Sequence, residues 1–169
     1  MSSGLLILRL GLGLVMAAHG AQKLFGWFGG HGLAGTAGFL ESLGFRPGRH
    51  FAAAAAGSEL VSGLLIAVGL LGPVGPALML SVMIVAAVSV HLPGGLFAMT
   101  NGVEVPLLYA LAGAALALIG PGAYSLDSLF GLAPDFTPAV NALAVLAAIL
   151  AATVNLALRK KSAPALATA

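Results

Sequence analysis

Long apolar runs without alternation dominate the chain: residues 5–25, 51–71, 74–92, 105–119 and 138–158. None carries the strict apolar–polar alternation of a half-buried or barrel strand, so the pattern predicts helices. A helix that crosses the hydrocarbon core needs about 20 residues. The fourth run falls short of that and is expected to take its first turn from the preceding polar residues, giving a span over about 102–119. Gly72-Pro73, Pro93-Gly94-Gly95 and Gly120-Pro121-Gly122 punctuate the runs. Thr137 followed by Pro138 reads as an N-cap and first-turn proline opening the last span. Between the first two spans, Leu33, Ala37, Leu40 and Gly44 recur at helical spacing, which predicts a short interfacial helix over about 33–44. The Tyr124-Ser125-Leu126-Asp127 stretch predicts a capped interfacial turn, and Trp27, Phe28 and Tyr124 fall at boundaries where rings anchor helices.

Composition turns this pattern into a choice of solvent. Apolar residues make up 60% of the 169 and charged residues 7%, with a mean hydropathy of +1.08. A soluble domain carries about 25% charged residues, and a single domain of this length has too much surface to cover with so few. A lipid bilayer removes the difficulty and requires the backbone to satisfy itself, which helices do. The expected architecture is therefore all-α, a polytopic transmembrane helix bundle over residues 1–161. It has a four-helix core plus a fifth C-terminal span, and a low-complexity, disordered tail at 162–169. No cleavable leader is expected, because the first residues carry no positive side chain and the first run is long enough to span.

The net charge of +2 does not change this picture. Seven basic residues spread through an apolar chain give no nucleic-acid footprint; three of them end the last helix and read as topology determinants. With five spans, Lys23, Arg46, Arg49, Arg159, Lys160 and Lys161 fall on one side and Arg9 on the other. The positive-inside rule then predicts an outside N-terminus and a cytoplasmic C-terminus in the plasma (cytoplasmic) membrane. Cysteine is absent, which excludes disulfides, thiolate metal sites, iron–sulfur clusters and thiol redox by this chain.

The informative residues are the ionisable ones, since a charge deep in a membrane costs about 2.5 kcal/mol or more. His19 and Lys23 share a helix face near the end of the first span. Glu59 lies about two turns into the second, His91 near the end of the third and Glu104 at the start of the fourth. Successive spans alternate in direction, so all five share one leaflet, and a polar pocket there is the candidate site. Each also has a plainer reading: a snorkelling Lys23, a Glu104 favouring a helix N-terminus, hydrogen-bonded packing histidines. Glu59 is the hardest to explain that way, because its depth demands a partner, with Lys23 or a histidine the natural one. Gly11 and Gly13 in the first span and Gly57 and Gly63 in the second are expected to allow close helix approach. The alanine-rich fifth span, with Asn141 and Asn155, reads as a packing helix and a homo-oligomer contact.

Several motifs in order resemble the DoxX-like family of small membrane proteins. They are Leu8-Arg9-Leu10 through His19-Gly20-Ala21-Gln22-Lys23-Leu24-Phe25-Gly26; Phe39-Leu40-Glu41-Ser42-Leu43-Gly44-Phe45; and Glu59-Leu60 with Gly63-Leu64-Leu65. Further along come Asn101-Gly102-Val103-Glu104 with Pro106-Leu107-Leu108-Tyr109, and Gly120-Pro121-Gly122 through Ser125-Leu126-Asp127. The likeness covers about residues 5–130, so the fifth stretch is an addition to the family's four-helix unit. It implies a redox-linked membrane subunit, related to the membrane subunit of thiosulfate:quinone oxidoreductase, with quinone as cofactor and soluble or membrane redox proteins as partners. A non-enzymatic scaffold for partner proteins is the alternative. Two histidines and two carboxylates in one leaflet also leave a metal or haem site open, though at no recognised ligand spacing. A transport path is disfavoured by the scarcity of polar residues in the other leaflet.

Overall fold

Seven α-helices and no strand make up residues 2–160, which the computed structural model describes. They are α1 Ser2–Phe25, α2 Gly32–Ser42, α3 Gly48–Val68, α4 Val74–Ala86, α5 Glu104–Ile119, α6 Leu126–Leu129 and α7 Pro138–Ala157. A π turn, Ala87–His91, and a 3₁₀ turn, Leu92–Gly94, prolong α4 into one apolar rod. That rod, α1, α3 and α7 are each long and apolar enough to cross a membrane. The 16 residues of α5 extend about 24 Å at 1.5 Å per residue, less than the hydrocarbon thickness of about 30 Å.

The local signals operate largely as expected. Thr137 Oγ1 accepts the Val140 N–H at 3.3 Å, with Pro138 in the first turn of α7. Ser125 Oγ accepts the Ser128 N–H at 3.1 Å and caps the single turn of α6. The interfacial helix runs from Gly32, and α3 is displaced toward the N-terminus of its predicted range. Its end is set by Gly69, left-handed at φ 66°, whose N–H returns to Leu65 and Ile66, rather than by the later Gly72-Pro73 break. A left-handed residue after the last turn satisfies carbonyls that would otherwise have no partner.

Packing follows small residues. Gly13, Ala17 and Gly20 of α1 lie against Leu60, Gly63 and Ala67 of α3, so close that a Cβ on Gly13 would stand 2.6 Å from the Ala67 nitrogen. Gly13 and Gly63 thus serve as predicted, Gly20 joins them, and Gly11 and Gly57 have nothing within 4 Å of an added Cβ. The core of Met16, Ile66, Met79 and Leu116 draws one residue each from α1, α3, α4 and α5. Outside it the helices present bare leucines, such as Leu108, Leu118, Leu146 and Leu150. So broad an apolar exterior is a liability in water and the required surface in lipid. α7 packs on α4 and α5, with Asn141 Nδ2 donating to the Leu118 carbonyl at 3.4 Å. Beyond its C-terminus Arg159 Nε donates to the Leu43 carbonyl, and the Lys160 N–H to that of Gly44 at 2.9 Å. The end of α7 and the α2–α3 turn therefore occupy the same end of the bundle as Lys23. The tail at 162–169 lies outside the described residues.

Candidate functional site

The flush contact between α1 and α3 sets the site. At Gly20 the α1 backbone lies directly against Leu60, which brings the last turn of α1 beside Glu59. Lys23 Nζ donates to Glu59 Oε1 in an ion pair. Glu59 is 1% exposed, whereas 36% of the Lys23 side chain is accessible. The second carboxylate oxygen, Glu59 Oε2, is buried and has no hydrogen-bond partner. An unpaired polar atom in an apolar interior costs about 1–3 kcal/mol, and more for a full charge. A hydrogen-bond donor from a bound molecule relieves that cost.

Lys23 also faces a cavity of about 350 Å³ between the end of α1, the turn at Trp27–Gly29 and α2. Gln22, Gly30, His31, Thr36 and Phe39 complete its wall. Thr36 Oγ1 donates to the Gly32 carbonyl at 2.9 Å, and Gln22 Nε2 to that of Phe28 at 3.3 Å. The wall is therefore held in shape by its own backbone, and of the ion pair it is Lys23 that reaches it. Gly26, at φ 76°, allows the tight reversal that folds Trp27 and Phe28 back toward α1. Both rings are exposed, as membrane-interface anchors are.

The other predicted site residues separate. His19 is exposed on α1 and lines a groove of about 210 Å³ with Val15, Gln22 and Phe28. His91 Nδ1 lies 3.0 Å from the Asn101 carbonyl, and Glu104 Oε2 accepts the Ala98 N–H at 2.8 Å. These two contacts fasten the α4–α5 loop. Of the five ionisable residues placed in one leaflet, the structure joins Lys23 to Glu59, leaves His19 one turn away on α1, and assigns His91 and Glu104 to loop geometry. Among the described residues no three His, Asp or Glu side chains gather to hold a metal ion.

A second polar centre, at the opposite end of the bundle, has no counterpart among the predicted sites. Arg9, 4% exposed, donates to the carbonyls of Ile66 at 3.2 Å, Tyr124 at 2.7 Å and Pro121. Asp127 is fully buried and accepts the N–H groups of Leu71 at 2.9 Å and Gly72 at 2.6 Å. The guanidinium on the last carbonyls of α3 matches the negative end of that helix, and the carboxylate is held by free amides of the α3–α4 turn just beyond it. The cost argument that singled out Glu59 applies equally to Arg9, a lone cation in an apolar span; its partners were hidden because they are main-chain groups. At the first end, Glu41 Oε1 similarly accepts the Gly48 N–H at 2.9 Å, opening α3.

A protein-family model described as DoxX matches residues 4–92, just over half of the chain, from α1 through the α4 rod. No curated protein and no solved structure matches.

Proposed function

The chain belongs to the DoxX family of membrane proteins, and from that premise we propose that it is the redox-linked subunit of a membrane oxidoreductase complex, engaging a quinone at the Lys23–Glu59 end. The observation that carries the proposal is the buried Glu59 carboxyl, with one oxygen held by Lys23 and the other without a partner. A bound quinone supplies a carrier of two electrons and two protons; a soluble or membrane partner protein supplies the electrons. The residues supply the rest. Glu59 offers Oε2 as an unpartnered acceptor for a proton released by a bound quinol, Lys23 balances the charge of the carboxylate, and Gln22, His31 and Thr36 offer polar atoms along the cavity. Burial at 1% exposure keeps bulk water from Glu59. Lys23, Arg46, Arg49, Arg159 and Lys160 lie at this end, and the positive-inside rule sets it in the cytoplasm of a plasma-membrane protein.

Extraction of lipids bound to protein purified in mild detergent tests the reading. Quinone is expected in the wild type, together with quinone-dependent thermal protection, and both are expected to be lost in Glu59→Gln and Lys23→Met. Absence of quinone and of protection in the wild type refutes it.

A non-enzymatic scaffold is the second reading, favoured by one observation: Arg9, Asp127, Glu41 and Glu104 all spend their charge on the chain's own backbone. Partner association and phenotype unchanged by Glu59→Gln would select it.

A further inference from the structure

On the face of α3 that carries Ser58, a second cavity lies between α3, α4 and α7, with Leu40 of α2 and Phe45 on its wall. Its volume is about 130 Å³; an apolar cavity of about 150 Å³ accepts one benzene ring. Phe45, 1% exposed, and Phe51 meet at 5.3 Å between ring centroids, inclined at 50°. Three polar side chains, Ser58, Ser81 and Asn155, line an otherwise apolar wall that bears no charge. Hydroxyls in apolar helices ordinarily satisfy themselves on the preceding turn. Ser62, Ser89 and Thr153 do so here, on the carbonyls of Glu59 at 3.0 Å, Val85 at 2.5 Å and Ile149 at 2.8 Å. Ser58, Ser81 and Asn155 hydrogen-bond to no described residue. Three hydrogen-bonding groups from three helices thus converge unpartnered on a ring-sized space at the depth of Glu59.

We infer that this cavity is a second binding site, for a neutral, single-ring, membrane-soluble molecule bearing a hydrogen-bonding oxygen. Neutrality follows from the uncharged wall, since an ion there would have no counter-charge. The ring follows from the volume and the paired phenylalanines. The oxygen follows from the three free groups, among which the hydroxyls and the carboxamide both donate and accept. α7 is essential to the site. It contributes Ala151 and Asn155, lies beyond the residues shared with the family, and is pinned one turn further on by Arg159, whose guanidinium stands 5.9 Å from the Phe45 ring centroid. The site does not rest on the Lys23–Glu59 reading.

Fluorine NMR on the full chain in detergent micelles tests it with two isosteric probes, para-fluorophenol and para-fluorotoluene. Saturable binding of the phenol is expected, with about a tenfold preference over the toluene from one or two neutral hydrogen bonds. The combined Ser58→Ala, Ser81→Ala and Asn155→Leu variant is expected to lose the preference. Ala55→Phe and, separately, Ala151→Phe fill the cavity and are expected to abolish saturable binding without lowering the melting temperature. Lys23→Met and Glu59→Gln are expected to leave it intact. Equal affinity of the wild type for both probes, saturable binding that survives both filling substitutions, or no saturable binding overturns the inference.

Discussion

The two ends of the bundle handle buried charge in opposite ways. At one end Arg9 and Asp127 are closed in by carbonyls and amides of the chain itself, and they rivet α1, the end of α3 and the segment after α5 into one unit. At the other, Glu59 is as deeply buried but keeps one oxygen without a partner, while its counter-ion Lys23 remains partly accessible from a cavity. Burial is therefore common to the two ends, and completeness of the partner set is what separates them, because a fully bonded group has nothing left to offer a ligand.

That contrast breaks most readily at the closed end. Arg9→Met strands the carbonyls of Ile66, Pro121 and Tyr124 and is expected to cost about 3–5 kcal/mol of stability. Arg9→Lys keeps the charge without the fork and is expected to recover only part of it. Reversible unfolding in mixed micelles measures both, and a wild-type midpoint in Arg9→Met would show that the rivet does not hold. Next in size is the seam between the ends. Gly63→Ala drives a Cβ into the α1 backbone at Gly13 and Ala17 and is expected to cost about 1–3 kcal/mol. Gly57→Ala meets open space and is expected to be neutral or stabilising by up to about 1 kcal/mol. Equal effects of the two in the same assay would remove the seam as the device that brings Lys23 to Glu59. The smallest loss of stability belongs to the open end. Lys23→Met leaves Glu59 without its counter-ion; because Lys23 is partly accessible, water already screens the pair, and the cost is expected at about 1–2 kcal/mol, with the Lys23→Met/Glu59→Met double variant restoring most of it. An additive loss in the double variant would show that the two residues do not act as a pair.

The helices were legible because apolar runs, glycine–proline breaks and caps are local signals, and Thr137 and Ser125 cap as their positions suggest. The end of α3 was less so: Gly69 and Gly72-Pro73 are both competent stops, and the earlier one prevails once its carbonyls find Arg9. Sequence periodicity could place five ionisable residues in one leaflet but not rotate each helix about its axis. That rotation sends His19 to the exterior and Glu59 to the seam. His91 and Glu104 were lost for a different reason: the loop between them folds back and uses both for its own amide and carbonyl groups. Asp127 sat in a turn recognised from its sequence, yet its burial depends on the α3–α4 turn, 55 residues away in sequence.

An infrared difference spectrum recorded as an added quinone is reduced, on wild type and Glu59→Gln in parallel, tests the central claim most directly. The account predicts a carboxyl band that changes with the quinone redox state in the wild type and vanishes in Glu59→Gln. The same band present in both proteins, or no carboxyl change in either, would contradict it.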